Sequence, residues 1–129
     1  MNLRLRTLAA AALLQLLASP VHACLFARDA KPEDWDAWAT TLLAGEVTGI
    51  EQDRSFDVIA VRVADTYKGP QGAAATLTIP ARMWASCKLE RPAVGARVLV
   101  ALNANGDTLL VPLTEEYAER MRRHRDRSR

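Results

Sequence analysis

The chain has 129 residues, half of them hydrophobic, and its 17 basic and 15 acidic residues give a formal net charge of +2. This length and composition describe one small globular domain. The sequence contains no internal repeat and no low-complexity linker, which excludes a repeat array.

The first 23 residues are predicted to be a secretory signal peptide. Two arginines precede an apolar run from Leu8 to Leu17, and Val21 and Ala23 are the small residues that a signal peptidase requires at positions −3 and −1. A membrane-spanning helix needs about 20 apolar residues, and this run has roughly half of that. We therefore expect a protein that is secreted or periplasmic and begins at Cys24 after cleavage.

The sequence also allows an alternative in which Cys24 is the lipid-modified first residue of a bacterial lipoprotein. Val21 and Ala23 suit a lipobox, whereas His22 does not suit position −2. Acylation would block the amino group of Cys24 and occupy its sulfur, so this alternative predicts an envelope anchor and no disulfide.

Charge divides the mature chain into a domain over residues 24–119 and an arginine-rich tail over residues 120–129. The domain has nine basic and fourteen acidic residues, a net charge of −5, whereas the tail has six arginines and one aspartate, a net charge of +5. The tail is either a patch for anionic lipid headgroups, nucleic acid or an acidic partner, or a solvated C-terminus suited to the negative end of a helix dipole.

A short helix is predicted to begin at Pro32, because proline suits the first helical position and acidic residues follow it. Apolar spacing would allow this helix to reach Leu42. We favour an end near Ala39, because the residues from Thr41 to Ile50 include good strand formers, and Gly45 then marks a bend or a bulge.

The rest of the domain is mostly extended. Alternating residues predict strands, and an Asn-Gly pair in the segment from Asn103 to Asp107 predicts a hairpin. A helix is expected to follow Thr114 as N-cap, with Tyr117 and Met121 against the domain. The further strands are Asp57–Tyr67, Ala75–Ile79, Arg97–Leu102 and Thr108–Leu113, and the segment from Ala81 to Gly95 is a loop with room for one helical turn.

A lone hairpin sheet cannot bury two faces, and five strands of this length are few for a sandwich. We expect a mainly β fold, a small five-stranded OB-fold-like barrel with short flanking helices. The two cysteines, Cys24 and Cys87, form an even pair in an exported chain, which predicts a disulfide. Closing a loop of about 60 residues would contribute roughly 4 kcal/mol.

Several phrases of the sequence resemble the N-terminal domain of tissue inhibitors of metalloproteinases and its shorter bacterial relatives. The resemblance spans most of the mature chain. It is carried by the cysteine at the mature N-terminus, by the strand phrases Gly45–Ile50 and Val61–Val63, by the segment Tyr67–Pro70, and by Gly95 ahead of Val98–Val100.

The resemblance implies an OB-fold inhibitor whose first cysteine is bonded to a loop cysteine, here Cys24 to Cys87. It also implies that the α-amino and carbonyl groups of Cys24 chelate the zinc of a partner metalloprotease, with Leu25 and Phe26 entering the protease cleft. An α-amino group has a pKa near 8, so it can act as a neutral nitrogen ligand. Animal members have a second cysteine where this chain has Phe26, and they carry a further disulfide-rich domain.

Other functions fit the sequence less well. The strands carry almost no aromatic residues and the domain is acidic, which disfavours nucleic-acid binding. His22 leaves with the signal, so His124 is the single mature histidine and lies far from any carboxylate cluster by sequence. The three tryptophans are assigned to packing. We expect no enzymatic activity and no cofactor, and the alternative to an inhibitor is a structural or envelope-associated interaction domain.

Overall fold

The computed structural model describes residues 30–129, so the predicted signal peptide and the residues Cys24, Leu25 and Phe26 lie outside the described part of the chain. Within it, the elements follow one another in the order α1, β1, β2, β3, α2, β4, β5 and α3. Their bounds are α1 Pro32–Trp38, β1 Thr41–Gln52, β2 Phe56–Lys68, β3 Ala74–Pro80, α2 Arg82–Ser86, β4 Arg97–Leu102, β5 Thr108–Pro112 and α3 Glu115–Arg127.

The predicted elements are confirmed to within a few residues. Helix α1 begins at Pro32 and ends before Ala39, which is its C-cap, so the shorter of the two helices considered is correct. The helical turn allowed in the long connection is α2. Thr114 caps α3 as expected, because its side-chain oxygen accepts a hydrogen bond from the Tyr117 backbone N–H at 3.2 Å.

All five strands belong to one antiparallel sheet with the order β3-β2-β1-β4-β5. The prediction of a mainly β, five-stranded fold is confirmed. Within residues 30–129 no ladder joins the two edge strands, β3 and β5, so hydrogen bonds do not close the sheet into a barrel. The two edges nevertheless approach, with Cα atoms within 8 Å of each other.

The sheet is buried on both faces. Strands β1 and β4 carry apolar residues at consecutive positions, such as Leu42 and Leu43 or Leu99 and Val100, which therefore point to opposite faces. Helices α1 and α3 cover one face, the helix side, and α2 packs on the other, the inner side. The helix-side cluster includes Trp35, Leu42, Tyr67, Leu99, Leu109, Ala118 and Met121. The inner cluster includes Leu43, Val47, Ile59, Val61, Leu77, Ile79, Trp84, Val98, Val100 and Leu110.

The expected contacts of the helices and tryptophans are present. Met121 is 1% exposed and Trp35 is 2% exposed. The Tyr117 hydroxyl donates a hydrogen bond to the Ala30 carbonyl oxygen. Trp84 is buried on the inner side. In the span from residue 30 to residue 129, no helix is long and apolar enough to cross a membrane.

A bulge in β2 decides which side chains face the helices. Asp65 pairs with Ala44 and Val63 pairs with Gly45, so Ala64 between them has no partner on β1. An unpaired residue reverses the alternation of side chains beyond it. The predicted irregularity at Gly45 is therefore confirmed, and the bulge turns Asp65 to the helix side, where it meets Arg125, while Ile59 and Val61 remain on the inner side. Tyr67, left unpaired at a second register shift, also lies on the helix side.

Gly45 is required at this bulge because the backbone of β2 approaches it closely. A Cβ atom there would stand against Val61 Cγ1 and 2.6 Å from the Arg62 carbonyl oxygen, whereas at Gly49 the nearest atom, Ala60 Cβ, is 3.9 Å away.

We expect Gly45→Ala to lower the free energy of unfolding by about 1–3 kcal/mol through overpacking. Gly49→Ala serves as the matched control and raises it by up to about 1 kcal/mol, since glycine is unfavourable inside a strand. Urea denaturation followed by tryptophan fluorescence measures both, and equal effects would show that the close approach does not matter.

Candidate functional site

Of the four site residues predicted from the sequence, only Cys87 lies within the described part of the chain. It is the C-cap of α2, and its backbone N–H donates to the Met83 carbonyl oxygen at 2.9 Å. Cys87 is 8% exposed and is not a free thiol. Its pairing with Cys24 stays a prediction, as do the protease contacts of Leu25 and Phe26.

The segment around Cys87 is held to β2 by a buried carboxylate. Asp57 is fully buried, and its Oδ2 accepts hydrogen bonds from Trp84 Nε1 at 2.7 Å and from Arg91 Nε at 2.6 Å. Trp84 precedes Cys87 by three residues and Arg91 follows it by four. One carboxylate oxygen therefore fixes both sides of the cysteine, and this arrangement, the Asp57 clamp, makes the α2 segment a rigid mount.

The other oxygen of the clamp, Asp57 Oδ1, is buried and has no hydrogen-bond partner within the described residues. A buried ionised carboxylate is costly unless it is paired, so the charge of Arg91 and the indole N–H of Trp84 must offset its desolvation. The Arg91 side chain is 40% exposed, which leaves one edge of the clamp open to water.

The sequence contains one signal for the Asp57 clamp, the position of the aspartate on the apolar face of β2. Asp57 lies two residues before Ile59 and four before Val61, so the same alternation that turns those residues inward also turns the aspartate inward. An acidic residue on the apolar face of a strand needs a buried partner. The partners, Trp84 and Arg91, come from an irregular segment whose path no periodicity predicts.

The arginine-rich tail, up to Arg127, forms most of helix α3. Arg125 donates to Asp65 Oδ1 at 2.6 Å and to the Thr66 carbonyl oxygen at 3.1 Å. The hydrogen bond to Asp65, followed by the one that Arg125 Nε donates to Asp126 Oδ1 at 3.2 Å, raises the pKa of Arg125. The bulge in β2 is what turns Asp65 towards α3.

A second group of ion pairs joins acidic residues in the first part of α3 to two arginines. Arg122 lies 3.0 Å from Glu115 and 2.6 Å from Glu119, and Arg97 of β4 also pairs with Glu115. The hydrogen bonds from Arg97 and Arg122 lower the pKa of Glu115. Exposed pairs of this kind contribute little stability each, but they neutralise the arginines involved.

Three other arginines of α3 remain unneutralised. Arg120, Arg123 and Arg127 lie at i, i+3 and i+7, so they share one face of the helix, and all three are exposed. No ion pair joins them to a carboxylate anywhere in residues 30–129. Arg120 instead stacks over the Tyr117 ring at 5.2 Å. We name this surface the arginine face.

A mostly apolar pocket of about 180 Å³ lies between the end of α1, the sheet and the last turns of α3. Two of its lining residues have a buried polar atom, Tyr67 Oη and His124 Nε2, with no hydrogen-bond partner within the described residues. Burial, followed by the negative charge of Asp65, raises the pKa of Tyr67. The lining residues are Asp36, Leu42, Tyr67, Met121, His124, Arg125, Ser128 and Arg129.

His124 is close in space to two carboxylates of α1, a helix that is distant from it in sequence. Its Nε2 lies 3.6 Å from Asp36 Oδ2, and its Nδ1 lies 3.9 Å from Glu33 Oε1. The packing of α1 against α3 brings these groups together. The helical period that places Tyr117 and Met121 on the sheet also places His124 there, so the periodicity could have indicated its burial but not its neighbours.

No group of three or more histidine, cysteine or acidic side chains is arranged to hold a metal ion in residues 30–129. Comparison of the chain with protein-family models and with curated proteins gives no match. The resemblance to metalloproteinase inhibitors therefore stays a prediction from the sequence.

Removing Arg91 from the Asp57 clamp should destabilise the protein more than removing the charge of Asp57. Arg91→Gln leaves a buried carboxylate without its counter-charge and should lower the free energy of unfolding by about 3 kcal/mol. Asp57→Asn removes the buried charge and keeps an acceptor for Trp84, so its cost should be nearer 1 kcal/mol. Denaturation of the oxidised protein in urea measures both values.

The exposed pair between Arg62 and Glu46, at 2.8 Å, provides the control. Arg62→Gln should cost less than about 1 kcal/mol because water replaces the lost partner. If Arg91→Gln costs no more than Arg62→Gln, the clamp does not hold the α2 segment.

Proposed function

We propose that the mature protein is an exported binding module of the metalloproteinase-inhibitor type, which presents its N-terminal Cys24 on a disulfide to Cys87. The observation that carries the proposal is the mount of Cys87. This cysteine is buried and not a free thiol, and the Asp57 clamp holds the residues on both sides of it. An N-terminus bonded there is fixed relative to the sheet.

The strand order supports the OB-fold part of the proposal. The sheet order β3-β2-β1-β4-β5 becomes a closed ring if β3 and β5 meet, and these two edges already come within 8 Å at their Cα atoms. OB-folds are five-stranded barrels that are partly open. In this arrangement the inner cluster is the barrel interior, and α1 and α3 lie outside it.

The chemistry of the proposed inhibitor follows from a free amino terminus. The Cys24 amino nitrogen and carbonyl oxygen form a chelating pair for the zinc ion of a protease, which displaces the water that the enzyme needs for catalysis. A rigid mount lowers the entropic cost of placing this pair on the metal. Leu25 and Phe26, next along the chain, supply apolar contacts in the cleft.

The test compares the mature protein with a variant that carries one extra alanine before Cys24. The mature protein should inhibit at least one of several purified zinc proteases, and the extension should weaken inhibition by about 100-fold or more, because it replaces the terminal amine with an amide. An extra alanine after Arg129 is the matched control and should leave inhibition unchanged.

Intact mass with and without reduction and thiol alkylation accompanies this assay. The proposal requires a mature chain that begins at unmodified Cys24 and takes up two alkyl groups only after reduction. An acylated Cys24, a different first residue, or no inhibition of any protease tested would each refute it.

A second candidate, an envelope-associated domain, is favoured by the arginine face. Arg120, Arg123 and Arg127 project three unneutralised positive charges from one side of an acidic domain. Anionic lipid headgroups attract such a surface by about 1 kcal/mol for each arginine close to the membrane. In this second function α3 would bind the lipid surface through the arginine face, and the β-sheet would act as a spacer.

Flotation with phosphatidylglycerol vesicles tests this second candidate. Replacing the three arginines of the arginine face by glutamine should weaken binding by about 100-fold, since about 3 kcal/mol of attraction is lost. The control replaces three other exposed basic residues, Arg54, Arg82 and Lys88, by glutamine, with the same change in net charge and a small effect on binding. Equal losses in both triple variants, or no binding of the parent protein, would exclude the arginine face as a membrane surface.

A further inference from the structure

Strand β1 has 12 residues and its neighbour β4 has 6, so part of one edge of β1 is left without a strand. Strand β4 pairs with β1 only over Thr41–Glu46. The turn ahead of β4 then bonds to Val47, which donates to the Ala96 carbonyl oxygen at 2.9 Å and accepts from the Gly95 N–H at 2.7 Å. Beyond Val47, in the part of the chain that the structure describes, β1 pairs with β2 alone. We name residues 48–52 the open edge.

The open edge carries backbone groups that no strand uses. In an antiparallel pair, successive residues direct their N–H and C=O groups alternately towards the neighbouring strand and away from it. The Asp53 N–H donates to the Phe56 carbonyl oxygen at 2.9 Å and closes the hairpin, so Glu51, two residues earlier, also bonds to β2. Ile50 and Gln52 therefore direct their N–H and C=O groups away from β2. Such a row of donors and acceptors is a template for a further strand.

The two outer edges of the sheet are less accessible to a further strand than the open edge is. Strands β3 and β5 approach each other to within 8 Å at their Cα atoms, so each limits access to the other. At the open edge, by contrast, Thr48 and Gln52 are exposed and Ile50 is half-buried. Strand addition is therefore favoured at β1.

The side chains of the open edge select the strand that would fit. Glu51 is exposed and forms no ion pair with any described residue. Its neighbour on the β2 side is the uncharged Val58. An added strand would place one side chain directly opposite Glu51, with Cβ atoms about 4.5–5.5 Å apart, where an opposite charge stabilises the pair and a like charge destabilises it. This position therefore favours a basic residue.

The next position of an added strand favours an apolar residue. Ile50 packs against the inner cluster at its rim, and a side chain opposite it would extend that cluster. Val94, which is 64% exposed, precedes Gly95 at the end of the open edge and offers a further apolar contact. The turn beside the open edge adds one acidic and one basic residue, Asp53 and Arg54, so the charge of Glu51 is left to decide.

We propose that the open edge binds an extended segment of a partner protein by β-strand addition, with a basic residue opposite Glu51 and an apolar residue opposite Ile50. Main-chain hydrogen bonds to Ile50 and Gln52 supply affinity, and the two side-chain positions supply specificity. The edge is already held straight by β2, so only the incoming segment loses conformational entropy.

Nuclear magnetic resonance with a short peptide tests the proposal on the mature protein. The capped peptide Thr-Lys-Val-Thr-Thr places lysine opposite Glu51 and valine opposite Ile50 when it runs antiparallel to β1. It should shift the Ile50 and Gln52 amide signals in a saturable way, with a dissociation constant of about 1 mM, as expected for an unordered strand of this length. Binding should also slow hydrogen exchange of these two amides. The Glu51 amide, already bonded to β2, is the internal reference.

A proline variant tests the role of the backbone. Gln52→Pro removes one outward N–H and spares the bonds to β2, because proline is tolerated where the N–H faces solvent. It should weaken peptide binding by about five- to tenfold. Gln52→Ala keeps the N–H and should have little effect. Proton chemical shifts of the inner cluster verify that each variant is folded.

A charge exchange tests the role of Glu51. Glu51→Lys should weaken binding of the lysine peptide by about tenfold and should bind Thr-Glu-Val-Thr-Thr in its place, because like charges directly opposite each other repel. Glu116→Lys is the matched control, since Glu116 is exposed on α3 and the variant makes the same change in net charge. It should leave binding of both peptides unchanged.

Several outcomes would overturn the proposal. These are the absence of a saturable shift at Ile50 and Gln52, equal binding of the two peptides to the unaltered protein, or binding of the lysine peptide that survives Glu51→Lys. Shifts centred on β3 or β5 would place the peptide at another edge. Shifts of Ile50 and Gln52 that depend on protein concentration without peptide would show that a second copy of this chain occupies the edge. None of these results depends on protease inhibition or on vesicle binding.

Discussion

The structure depends on one constraint: its central strands are apolar on both faces. Strands β1 and β4 place consecutive large residues on opposite sides, so neither face of the sheet can be left to solvent. The curled sheet and α2 cover the inner side, and helices from the two ends of the described chain cover the helix side. As a result α3 is part of the core. Its arginines are divided by position, since those that turn towards the sheet meet carboxylates and those that turn away meet water.

The Asp57 clamp places a polar interaction inside the inner cluster, where apolar contacts alone would not select one position for α2. Buried polar networks specify geometry more than they stabilise, because their hydrogen bonds are directional and their desolvation is costly. Here a single oxygen receives donors from two points of an irregular segment. The clamp thus fixes, relative to the sheet, a segment whose one regular element is the five-residue helix α2.

Much of the secondary structure could be predicted from the sequence, because strand alternation, a proline-initiated helix and a threonine cap are local signals. The burial of both sheet faces could not, since it requires knowing that α1 and α3 lie on the same side. The same limit applies to the candidate sites. Asp57 and His124 each fall on a buried face by their period, but their partners come from distant segments. The bulge at Ala64, which turns Asp65 towards the helices, is marked in β1 by Gly45, but the residue of β2 that is left unpaired depends on the register of the two strands.

The central position of β1 also sets an order for folding. One of its neighbours, β2, follows across a tight turn, but the other, β4, arrives only after β3 and α2, with Gly45 pairing to Val98. The helix-side face is covered only in part, by α1, until α3, the last described element, is present. Non-local pairing of this kind slows folding. The helix-side core is therefore completed only when α3, which supplies Ala118 and Met121 to it, has been synthesised.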